Sequence, residues 1–219
     1  GLQGGLHLQV RYPQFRKRSI LIGVREDVAR DDRFTDLLRH ELLVPESDPN
    51  ATIVSVAEAI SHLPPIEAGE HHAAIPNHRA RSLSDLNLQR IAAAQPGQTN
   101  AYMQSSEFGD LTLDCHRSVN ARLGERCFSD VYTRMHPGRP SPTITTKCHS
   151  ISNGRFGHYD TSQQRGISLR EAAILQSFPD DYVFYPEDQV EPIARMIGNA
   201  VPPRLASFYA CYLAKSLSS

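Results

Sequence analysis

The chain has 219 residues, with Lys+Arg 23 balanced against Asp+Glu 24 for a formal net charge of −1. That balance excludes a polycation that coats nucleic acid by bulk charge, although a local basic surface stays open to it. No window is apolar and long enough to cross a membrane, and no basic segment followed by an apolar one opens the chain as a secretion signal would.

The length suits one large domain or two small ones, either able to bury a core. Gly1, not Met, comes first, as in a processed, engineered or partial chain. Ile20 to Val24 is a continuous apolar run and predicts a strand buried on both faces of a parallel sheet. The charged stretch Glu26 to Arg39 reads as a surface helix or loop.

Three helix starts follow. Ser55-Val56-Ala57-Glu58 is a capping box, with Ala59, Ile60 and Leu63 behind it and Pro64-Pro65 as the stop. Ser82-Leu83-Ser84-Asp85 is a weaker version leading into Leu86 and Ile91, closed by Gln95-Pro96-Gly97. Ser168-Leu169-Arg170-Glu171 is the third, followed by Ala172, Ala173, Leu175 and Phe178 and ended by Pro179.

Between Gly97 and Arg165 the chain is irregular, with Phe108 to Leu113 and Pro142 to Thr146 reading as short strands or turns. Pro202-Pro203 suits a first helical turn, and Leu205, Phe208, Tyr212 and Leu213 continue it as a stripe expected to pack in a core. Cys115, Cys127, Cys148 and Cys211 lack any paired spacing and read as reduced thiols of a cytosolic protein. Cys115-His116 and Cys148-His149 lack the tight ligand pairs of a structural zinc site, so no metal is expected.

Candidate basic surfaces are Arg11, Arg16, Lys17, Arg18 and Arg25, and the set Arg79, Arg81 and Arg90; ordinary solvated arginines are the plainer reading. Gln14, Arg16 and Arg18 alternate along an extended segment and share one side of it. An arginine rigidly held at the start of a buried strand is always charged and forked for a carbonyl oxygen.

Three segments carry a resemblance. They are Gln14-Phe15-Arg16-Lys17-Arg18 running into the strand, Arg165-Gly166-Ile167-Ser168-Leu169-Arg170-Glu171, and Ile197-Gly198-Asn199-Ala200-Val201-Pro202-Pro203. In this order they resemble the last three conserved blocks of the DNA cytosine-5 methyltransferases. Thr143-Ile144 looks like the family's threonine pair at the end of its variable recognition region. His78-Arg79-Ala80-Arg81-Ser82-Leu83-Ser84 looks like the approach to that region.

The resemblance implies an α/β fold: segments of an incomplete doubly wound, Rossmann-like methyltransferase domain (1–45 and 165–219) flanking a small mixed α+β target-recognition domain (46–164). It implies that Arg18 contacts a flipped cytosine with Gln14 and Arg16 in support, and that the 165–180 block organises the recognition domain. Asn199, Ala200 and Val201 would line part of an S-adenosylmethionine pocket. Thr143, Ile144, Arg79 and Arg81 would bind double-stranded DNA.

The family's earlier blocks are absent. No cysteine follows a proline, no Glu-Asn-Val occurs, and no glycine-rich loop follows a predicted strand. The expectation is a C-terminal part of such an enzyme, or the small subunit of a split one, inactive until the missing N-terminal half is supplied. The alternative is a non-catalytic, sequence-specific DNA-binding module.

Overall fold

A computed structural model describes residues 13, 14, 16, 20, 25, 53–123 and 128–218. Of the predicted strand 20–24 only Ile20 is among these residues, and it is 41% exposed where burial was expected; the stretch 26–39 lies outside them.

Helix α1 (Val56–Ile60) begins as its sequence predicts. The Ser55 hydroxyl accepts from the Glu58 N–H, and the Glu58 carboxylate accepts from the Ser55 N–H at 2.7 Å. Two more of its orphan N–H groups are met by the 137–139 loop, Val56 by the Arg139 carbonyl and Ala57 by that of Pro137.

Helix α2 (Asp85–Ala93) starts after Ser84, but the second predicted capping box is not made: Ser84 forms no side-chain cap bond. Its three-residue partner is Asn87, and no glutamate returns the bond. Helix α3 (Asp114–Leu123) interrupts the stretch expected to be irregular. Its mean polarity hides it from a periodicity reading.

Helix α4 (Leu169–Leu175) carries the third capping box, made in full. Helix α5 (Val190–Asn199) buries Ile193, Ala194 and Ile197, a three-and-four spacing that gives one apolar face. Helix α6 (Pro203–Ser218) starts with Pro203 in its first turn, where a missing N–H costs nothing. Leu205 is buried and Phe208 half-buried; the side chains of Tyr212 and Leu213 lie outside the description.

The two segments expected as short strands run without a ladder. Among the described residues β-pairing is confined to isolated bridges, including Gln14 with Ser141 (parallel) and Gly157 with Gly166 (antiparallel).

Every residue of α4 is buried, and α1 and α5 both pack on it. The main core joins Val56 and Ile60 to Met135, Ile144, Phe156, α4 and the inner face of α5. Burial is worth about 1.5–3 kcal/mol for each large apolar side chain, and this cluster is the larger of the two cores among the described residues. A second core gathers Ile91, Met103, Leu111, Tyr132 and Ile151 around α2.

Candidate functional site

Four segments distant in sequence meet at one junction. The Ser141 N–H donates to the Pro13 carbonyl at 2.8 Å. The Arg16 guanidinium donates to the carbonyls of Ile144 at 2.8 Å and Gly198 at 3.2 Å. The Gln176 amide donates to the Ala200 carbonyl at 2.8 Å, which can only accept, so its oxygen faces the other way. There it accepts from the Gln14 amide at 2.6 Å. The Gln14–Arg16, Ser141–Ile144, Gln176 and Gly198–Ala200 segments are thus tied by side-chain bonds that reach backbone carbonyls.

Gly198 completes the junction. A Cβ there would overlap the Thr145 carbonyl and the Thr146 nitrogen, so α5 lies directly on that backbone.

The predicted residues divide between this junction and its surroundings. Gln14 is buried and Arg16 half-buried, both at this junction; Arg18 lies outside the described residues. Asn199 and Val201 are exposed and Ala200 half-buried at the end of α5. Thr143 is half-buried. Ile144 is 0% exposed within the main core, so its side chain holds the backbone and cannot touch DNA.

Arg79 and Arg81 flank a cleft of about 610 Å³. Arg90, grouped with them in the sequence, turns inward instead. It donates to the Leu111 carbonyl and lies 4.7 Å from the centre of the Tyr132 ring, removed from any basic surface. Cys148 is buried, and that burial pushes its thiol up to about 12, which leaves it no use as a nucleophile at neutral pH. Cys115 and Cys211 are exposed free thiols.

Residues 9–215 match the family of C-5 cytosine-specific DNA methylases. The chain belongs to this family.

It is 36% identical over 200 residues to the type II methylase M.HgiDII of Herpetosiphon aurantiacus, covering 90% of this chain and 50% of that protein. It is 30% identical over 192 residues to the type II methyltransferase M.NgoFVII of Neisseria gonorrhoeae, covering 88% and 43%. The chain thus spans about half the length of these relatives. Among solved structures it shares a fold with one described as a DNA modification methyltransferase encoded within an E. coli prophage. That likeness has a TM-score of 0.50 and 19% identity, over 78% of this chain and 49% of the other.

In this cytosine-5 methylase chain, α4 is tied to the 77–79 backbone and to a buried polar cluster that sequence reasoning found only in part. The first N–H groups of α4 donate outward, Leu169 to the Arg79 carbonyl and Arg170 to that of Asn77. Asn77 takes a positive φ of 61°, and its amide pairs in both directions with the Phe184 backbone. The backbone that carries Arg79 is therefore fastened to α4.

Behind it, the Arg165 guanidinium grips both Glu171 oxygens at 2.8 and 2.6 Å, with each side chain 1% exposed. Burial pushes the Glu171 carboxyl up, but the Arg165 hydrogen bonds and charge outweigh it and hold the group well below the usual range. His78 Nε2 lies 2.8 Å from the Pro64 carbonyl, so it carries the proton, and Nδ1 accepts from the Ser168 hydroxyl at 2.9 Å.

Arg134 is 0% exposed and has no carboxylate partner among the described residues. Its Nε and Nη1 donate to five carbonyls, those of Ile91, Ala94, His158, Asp160 and Gln163. It staples the end of α2 to the 158–163 loop. No sequence pattern announces it.

Proposed function

We propose that this chain is the DNA-reading, C-terminal part of a cytosine-5 methyltransferase that modifies C5 of a flipped cytosine in a specific duplex sequence. One observation carries the reading: the segments that resemble the family's last blocks, and its threonine pair, are bonded into a single junction by Gln14, Arg16 and Gln176.

In this reading Arg16 and Gln14 are positioning residues for the segment that leads to Arg18. The Arg18 guanidinium, always charged and forked, is suited to the carbonyl edge of an extruded pyrimidine. Preorganised charge of this kind acts where negative charge develops on the ring. Thr143 stands beside the target nucleotide's backbone.

Asn199, Ala200 and Val201 would hold S-adenosylmethionine, which supplies the methyl group. An exposed amide next to an exposed isopropyl group, with the intervening carbonyl pinned by Gln176, suits one wall of a nucleoside site. The cysteine that attacks the base comes from a segment bearing the family's earlier blocks, on the same or a second chain. The type II relatives support a place in a restriction–modification pair.

The test is transfer of a labelled methyl group to duplex DNA. The chain alone should give none, and addition of a folded half bearing the earlier blocks should restore transfer at a defined site. Inactivity of two folded halves together would sink the proposal; tight, sequence-specific duplex binding by the chain alone would then favour the binding-module reading.

A further inference from the structure

The cleft between Arg79, Arg81 and the start of α5 has the makings of an anion seat. His149 lines it, its side chain is 2% exposed, and neither ring nitrogen has a hydrogen-bond partner among the described residues. The nearest carboxylate, Glu191, stands 3.8 Å from Nε2, outside hydrogen-bond reach. A neutral imidazole always carries one N–H, and leaving it buried and unpaired is costly unless a ligand completes it.

Two further sets of donors face the same space. The guanidinium groups of Arg79 and Arg81 make no hydrogen bond or ion pair among the described residues. Gln189 gives α5 no side-chain cap, so the first-turn N–H groups at Val190 and Glu191 stay open where they line the cleft.

Charge narrows the ligand. Asp188 and Glu191 also line the cleft, and Glu191 is 3.7 Å from Lys147 Nζ. With Lys147, which is not part of the lining but pairs with Glu191, three cations stand against two carboxylates, an excess of one positive charge. That suits a singly charged phosphodiester better than a doubly charged phosphate monoester.

We propose that this cleft seats a backbone phosphate of the DNA duplex, held by Arg79, Arg81, the His149 N–H and the first turn of α5. The proposal rests on the DNA-reading function argued above. Helix α5 links the seat at its N-terminus to the Gly198–Ala200 junction at its other end, about 15 Å away by a rise of about 1.5 Å for each of its ten residues. The seat thus fixes the duplex relative to the base-contacting segment and carries no sequence information itself.

The experiment is salt-dependent binding of a short fluorescent duplex by the full chain. It compares wild type with Arg81→Ala, His149→Phe and Arg195→Ala, with inorganic phosphate as a competitor. Arg81 is exposed, so its variant should fold as wild type; Arg195, exposed on α5, is the equal loss of charge elsewhere. Arg81→Ala should weaken binding about tenfold on every duplex sequence and lower the slope of log affinity against log salt by about one. His149→Phe should weaken binding with the slope unchanged, and Arg195→Ala should do less than either.

Equal effects of Arg81→Ala and Arg195→Ala would reduce the seat to bulk charge and overturn it. So would inorganic phosphate that binds at the cleft without competing with the duplex. Intact wild-type binding with an unchanged Arg81→Ala would overturn the seat alone. A wild-type chain that binds no duplex at any salt would overturn both the seat and the DNA-reading function.

Discussion

At Gly198 two effects oppose each other. Replacing a helical glycine by alanine ordinarily gains about 1 kcal/mol of helix propensity. Here the added methyl would overlap the Thr145–Thr146 backbone, which no rotamer change can relieve. Overpacking of this kind costs about 1–3 kcal/mol, so Gly198→Ala should destabilise the protein on balance. Urea unfolding checks the sign: a raised midpoint would mean that α5 shifts freely away from the 145–146 peptide. Arg18 makes the complementary case. Its proposed contact is with substrate, so Arg18→Ala should slow methyl transfer by the reconstituted enzyme by about 2–4 kcal/mol in barrier and leave unfolding unchanged. Lower stability with normal turnover for each folded molecule would make Arg18 a structural residue.

Among the elements, α4 does the most with the fewest residues. Ser55 and Ser168 both cap helices, yet Ser168 also donates to His78 inside the core. Ser55→Ala should therefore cost about 1 kcal/mol and Ser168→Ala about 2, since the latter strands a buried ring nitrogen as well. Glu171→Gln should cost more, about 3–5 kcal/mol, because it leaves the buried Arg165 charge without its partner. Thermal unfolding of the three variants gives the order directly, and equal losses would refute the difference assigned to burial. The same helix shows what a sequence can and cannot disclose. Ser168 and Glu171 are legible because a capping box is local chemistry at fixed spacing. So is Pro203 at the head of α6. The fates of Arg90, Arg134 and Arg165 are not legible, because arginine is usually exposed and only tertiary packing decides which carbonyls or carboxylates surround it. The junction was half visible: its segments resemble known blocks, but the Gln14–Gln176–Ala200 relay spans residues whose proximity no local pattern encodes. Helix α3 went unseen because polar residues outweigh its thin row of Cys115, Val119 and Leu123, and the Ser82–Asp85 signal named a helix start without the cap bond it implied.

For the whole molecule, these buried groups set a response to acid. His158 is 3% exposed, and burial pulls its ring down from 6.5 to about 4, against the pull of Glu171 at 3.5 Å. His78 and His149 are likewise pushed down, chiefly by burial. A histidine held neutral in the fold takes up its proton more readily when unfolded. Its contribution is therefore complete above 6.5 and is lost as the pH falls toward about 4. For His158 the full extent is roughly 3 kcal/mol. Glu171 has the same sign for a different reason: its folded carboxyl is held at about 2, below the ordinary 4.5, so its share is present above 4.5 and disappears between there and about 2. Stability should accordingly fall in two overlapping steps, the first beginning near 6.5, where surface carboxylates are still ionised. Denaturant midpoints measured across this range, for wild type and His158→Phe, separate the steps. The phenylalanine ring can keep the stacking that His158 makes on Tyr159, with centroids 4.6 Å apart, but cannot titrate. The variant should flatten the decline between 6.5 and 4.5 and leave the acid step below it in place. An unchanged upper limb in His158→Phe would assign that step to His78 and His149 instead, and a second substitution at His78 would then remove it.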